Sequence, residues 1–165
     1  MHQQPQGAAF DVVLLLHVGC VVAGFVTTVT AAAAAGRLRR LLGVGSPPPE
    51  ALRRYFRPGV NWAGRAVYGI PVFGFALVAM SHGAFAVADA WVLAGLVLFV
   101  ALALVAEVVL WPAERRVQAA LVSRAGDLRP PSDPVVAAAA TTMARAASVA
   151  LVLLIAGTVV MIAQP

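Results

Sequence analysis

The 165-residue chain is 61% hydrophobic and only 12% charged, with a mean hydropathy of +0.88. Too few polar side chains remain to coat a water-soluble core of this size, so the outer surface must be solvated by lipid. The net charge of +5 comes from arginine alone, and its confinement to two stretches of the chain excludes a nucleic-acid footprint.

In chain order, Met1 to Phe10 carries no Arg or Lys, and the apolar run that follows is too long for a signal-peptide h-region. An uncleaved first span is expected over about residues 11–35. Three more follow, over about 61–87, 91–111 and 136–162. Each exceeds the roughly 20 residues a helix needs to cross about 30 Å of hydrocarbon. Helix is the only open-chain solution, because lipid offers no partners to free N–H and C=O groups. The expectation is an all-α integral membrane four-helix bundle, with residues 1–165 forming a single transmembrane domain.

Arginine positions set the orientation. Arg37, Arg39, Arg40, Arg53, Arg54 and Arg57 lie between the first two spans, and Arg115, Arg116, Arg124 and Arg129 between the last two. Arg65 and Arg145 sit just inside the spans that leave those connections. Under the positive-inside rule both long basic loops are cytoplasmic, one short loop is outside, and the chain is N-out and C-out. This predicts a multi-pass protein of a bacterial inner membrane. Ser46-Pro47-Pro48-Pro49 reads as a stiff spacer along the headgroups, and Pro112 to about Arg124 as an interfacial helix stopped by Gly126. Ser132-Asp133-Pro134 reads as the cap and first turn of the last span. Pro71 and Gly74 are expected to bend span two, and Trp62, Trp91 and Trp111 to mark span ends.

Polar residues inside the spans are the functional clues. Arg65, Glu107 and Arg145 share a depth near the cytoplasmic face and suit a structural ion pair with snorkelling side chains, the sharper reading being a proton- or quinone-associated carboxylate at Glu107. Near the outer face, His17 lies about six residues into span one and His82 about six from the end of span two. Both imidazoles would then sit roughly 9 Å below the boundary. A bis-histidine b-type haem would suit that arrangement, and so would two histidines hydrogen-bonded to carbonyls or to each other. Copper is a third reading, because His17, Cys20, Met80 and Met161 include soft ligands, with His17, Cys20 and Met80 the candidate set. His17, Cys20, Gly24, Thr28 and Ala31 form a small-residue stripe that should face other helices. Cys20 is the only cysteine, so no intrachain disulfide is possible. No Ser/His/Asp arrangement, phosphate-binding glycine loop or HExxH occurs, which points away from an enzyme. The functions expected are electron transfer on haem b, a cofactor-free accessory subunit packed against other membrane subunits, or copper handling.

Leu15-Leu16-His17, Trp111-Pro112 with Arg115-Arg116, and the finish Val160-Met161-Ile162-Ala163-Gln164-Pro165 resemble an uncharacterised bacterial domain-of-unknown-function family. Its members are predicted four-span integral membrane proteins that close on Lys-Pro, where this chain has Gln164. The early Leu-His pair is also similar to the copper-resistance D proteins and the membrane protoporphyrinogen oxidase that works with haem. That resemblance implies a ligand role for His17 alone. Gly24 stands near the place of a tryptophan usual in those families, and the later lysine of the oxidase is missing.

Overall fold

The computed structural model describes residues 7–123 and 134–163. Arg124, Gly126, Arg129, the expected cap at Ser132-Asp133 and the closing Gln164-Pro165 lie outside the described residues. Within them all regular structure is helical: α1 (Ala8–Gly43), α2 (Glu50–Tyr55), α3 (Trp62–Arg65), α4 (Gly69–Met80), α5 (Ala90–Val105), α6 (Trp111–Val122) and α7 (Pro134–Ile162). A 3₁₀ turn, Ala66–Tyr68, joins α3 to α4, and a π turn, Ala106–Leu110, joins α5 to α6. Four stretches are long and apolar enough to cross a membrane: Ala8–Gly43, Trp62–Met80, Ala90–Val122 and Pro134–Ile162. The protein is therefore a multi-pass membrane protein.

Both proline sites have a local explanation. Pro71 has no N–H for the carbonyl of Val67, and the chain tightens into the 3₁₀ turn just upstream. Pro112 likewise gives nothing to Val108, and the widened π turn makes room for its ring without ending the helix. The expected span of residues 91–111 and the interfacial helix expected from Pro112 are thus one continuous helical stretch, Ala90–Val122. Trp111 is buried, so it is a core residue, while Trp62 is exposed and Trp91 half-buried. The first helix also outruns its expected end at residue 35, and Arg37, Arg39 and Arg40 are helical. It stops in a Schellman motif, with Gly45 at φ 67, Ser46 N–H on Leu41 O at 3.0 Å and Gly45 N–H on Leu42 O at 3.2 Å.

The chain packs as two compact units, one of residues 1–27, 61–102 and 152–165, the other of residues 28–60 and 103–151. The second unit holds most of the buried side chains. Its α1 portion buries Thr28, Ala31, Ala35, Leu38 and Leu42, and its α7 portion Val136, Ala139, Ala140, Met143, Ala146, Ala147 and Ala150. The α1 series steps by three and four, and the α7 series keeps that repeat with adjacent pairs at 139/140 and 146/147, the spacing of a knobs-into-holes seam, where alanine lets backbones come close. Ala113 and Val117 of α6, and Leu52 and Phe56 in the segment around α2, are also buried in this unit.

The first unit is held by glycine contacts and ring edges. A Cβ at Gly24 would rest 3.7 Å from Leu154 and 3.8 Å from Val67. Tyr68 and Phe99 meet edge to face at 6.2 Å, as do Phe85 and Trp91 at 5.5 Å. Hydroxyls of Thr27, Thr141, Ser148 and Thr158 donate to the carbonyl one turn earlier at 2.8 to 3.0 Å, which removes the cost of burying them in lipid.

Candidate functional site

The contact between α1 and α4 is built on two glycines. Gly69 receives Cys20, whose Sγ occupies the place a Cβ would need, and Gly74 receives the ring of His17. A Cβ at Gly74 would lie 3.4 Å from His17 Cε1 and 3.6 Å from Nδ1, so the imidazole rests against the α4 backbone. Nδ1 donates to the carbonyl of Ile70 at 2.9 Å. A carbonyl can only accept, so Nδ1 carries the proton, and the neutral ring presents Nε2 as an acceptor.

His17 forms part of the wall of a cavity of about 610 Å³. The walls come from α1, α4, the turn after α4, α5 and the end of α7, all within the first unit. Its volume falls in the 300–1,000 Å³ span of small-molecule sites. The lining is mostly aliphatic and aromatic, with Phe75, Phe85, Trp91 and Phe99 supplying ring surfaces. His17, Thr158 and the Trp91 indole are the polar side chains there, and none of the described lining residues carries a charge. Gly95 receives the end of Met161, a second lining residue with a soft donor atom.

His82 does not join this site. The helix of span two ends at Met80, short of the expected residue 87, and His82 sits exposed in the following turn at φ 49. Ser81 makes that turn early, donating to Val78 O at 2.7 Å and accepting from Phe85 N–H at 3.1 Å. Since His17 packs against Gly74, the helix alone runs about 9 Å further before it ends at Met80. The equal-depth premise therefore fails, and His82 is not among the lining residues of the cavity. A haem b fits one half of this arrangement. His17 has the carbonyl-anchored Nδ1 of a metal-binding histidine, but the proposed partner lies outside, and the lining offers no cation for two propionates. The copper trio also falls apart: Cys20 seats at Gly69, and Met80 is at the other end of α4, about 16 Å away along the axis. Among the described residues no group of three His, Cys, Asp or Glu side chains could hold a metal ion.

Of the expected ion-pair cluster, Arg65 closes α3, Glu107 lies in the π turn and Arg145 lies exposed on α7. Arg54 and Glu50, one turn apart on α2, form an ion pair at 3.1 Å. A polar cluster that went unforeseen lies in the second unit. Glu114 and Gln118 are buried on α6. Burial pushes the Tyr55 hydroxyl above its ordinary range, the Glu114 carboxylate adds to the shift, and the Thr30 hydroxyl works against it. No hydrogen bond of standard geometry reaches the Tyr55 oxygen. The spacing of Trp111, Glu114 and Val117 held that signal, since Glu114 occupies the apolar face of α6.

No protein-family model, curated protein or solved structure matches the chain.

Proposed function

We propose that the protein binds an apolar molecule drawn from the lipid phase, in the bacterial cytoplasmic membrane, and acts as a carrier or electron-transfer partner and not as an enzyme. The observation that carries this reading is the apolar cavity of about 610 Å³ with a backbone-anchored imidazole in its wall. Ligand pockets combine such an apolar lining with a few oriented polar groups. The orientation belongs to the same proposal: arginines of both long connections face the cytoplasm, and both chain ends lie outside.

Protein purified in native lipid, with the bound molecules extracted and identified by mass spectrometry, tests the ligand. The reading expects one species at near-stoichiometric amount, lost in His17→Ala while helicity is kept. A reduced-minus-oxidised spectrum is its haem arm. A b-type band lost in His17→Ala and kept in His82→Ala would make the occupant haem with Nε2 as one axial ligand. No enriched molecule, together with a stoichiometric co-purifying membrane subunit, would overturn the reading in favour of an accessory subunit. For the topology, a reporter fused after Pro165 should be active only outside, and cytoplasmic activity would refute it.

A further inference from the structure

We infer that the cavity selects an uncharged molecule with an aromatic hydroxyl head, a membrane quinol, whose O–H donates to Nε2 of His17; this rests on the cavity being a ligand site.

Three observations lead there. The first is hydrogen-bond polarity. With Nδ1 committed to Ile70 O at 2.9 Å and the ring seated on Gly74, the imidazole cannot exchange its donor and acceptor edges without breaking a bond in an apolar wall. The partner of Nε2 must therefore bring a donor. The second is charge. No described lining residue is charged, so a phosphate or carboxylate head would enter without a counter-ion, which an apolar site does not tolerate. The third is shape. Phe75, Phe85, Trp91 and Phe99 line the space, and Phe85 and Trp91 are already set edge to face at 5.5 Å, which suits a ring more than a bare alkyl alcohol.

The oxidised partner of a quinol, the quinone, carries carbonyl acceptors where the quinol carries hydroxyls. Facing Nε2 it leaves two lone pairs opposed and the imidazole unsatisfied. The site thus discriminates between redox forms of one molecule by a single hydrogen bond, and binding alone is proposed, with no electron transferred. The selectivity expected from one such bond is about tenfold.

The test uses the full chain in nanodiscs of quinone-free phosphatidylcholine, titrated anaerobically with a short-chain benzoquinol and, separately, with its quinone. The quinol should bind about tenfold more tightly. In His17→Phe the two forms should bind within about twofold of each other, and in His17→Gln, whose amide both donates and accepts, the preference should likewise collapse. Equal affinities in the wild type, or a preference that survives both substitutions, would overturn the quinol assignment. A different molecule extracted from native membranes in a His17-dependent way would overturn the quinol assignment and leave the cavity a ligand site. Binding of neither form, with nothing extracted, would remove both.

Discussion

The seat of Cys20 on Gly69 gives a test in which two opposing terms decide the sign. Gly69 has φ −65 and ψ −22, a helical conformation that alanine adopts freely. Alanine in a helix is worth about 1 kcal/mol over glycine, so an unhindered Gly69→Ala would stabilise by that amount. Here the new methyl would overlap Cys20 Sγ and come within 3.3 Å of Phe73 and 3.4 Å of Cys20 Cβ. Overpacking of this kind costs about 1–3 kcal/mol, so the single substitution should be neutral to destabilising by about 2 kcal/mol after the helix term is subtracted. Cys20→Ala removes Sγ and the overlap. In that background Gly69→Ala should approach its unhindered gain, giving a coupling of about 1–3 kcal/mol between the two positions. Reversible unfolding in mixed micelles with rising SDS, followed by far-UV circular dichroism on all four proteins, measures it. Gly69→Ala stabilising by about 1 kcal/mol in both backgrounds would show that α1 and α4 do not meet at this pair.

His82→Gly should be neutral or stabilise by up to about 1–2 kcal/mol, because φ 49 costs a side-chain-bearing residue and not glycine; a large loss, or loss of a bound molecule, would place His82 in the site after all. Tyr55→Phe should be neutral or slightly stabilising at pH 7, since it removes a buried oxygen with no hydrogen bond of standard geometry. The raised Tyr55 pKa also fixes a sign with pH: the unfolded tyrosine ionises first, from 10.0, so the Tyr55 contribution to native stability is constant below that and falls above it. The loss should reach about 1.4 kcal/mol per pH unit in the wild type and be missing from Tyr55→Phe in alkaline unfolding curves. Ala147→Leu places three extra carbons at a fully buried seam position and should destabilise by about 1–3 kcal/mol, read in the same SDS titration.

The spans were legible because lipid leaves so little choice: four apolar runs of sufficient length can only be helices. The stripe from His17 to Ala31 was also legible, since small residues at three and four spacing are where helices approach, and Cys20, Gly24, Thr28 and Ala31 do pack against neighbours or lie buried. Helix ends were not. Arginine marks where a helix leaves hydrocarbon and carries no instruction to stop, so α1 ran on through Arg40 to Gly43. Span three was expected to end at residue 111, with a separate interfacial helix from Pro112, but a π turn carries the helix through, which no single-residue preference encodes. At the other end, Ser81 bonded back to Val78 and the helix closed seven residues early, at Met80, within a run apolar enough to have continued. The site itself was half readable: an imidazole on a packing face points to a partner, but Ile70 O and the bare backbone of Gly74 are chosen by the register between two helices.

The long helices place the molecule in two solvents at once. At 1.5 Å per residue, the 36 residues of α1 span about 54 Å and the 33 residues of Ala90–Val122 about 50 Å, against about 30 Å of hydrocarbon. A tilt of about 40°, the upper end for membrane helices, does not absorb the excess. The remainder lies among headgroups or in water, where apolar burial is driven by water itself. Inside the bilayer the same side chains gain nothing by leaving lipid, and helices adhere there by close contact and hydrogen bonds. Urea therefore acts on one stretch of each long helix and acyl-chain length on the other, and a single helix can be loosened at either end by changing only one of its solvents.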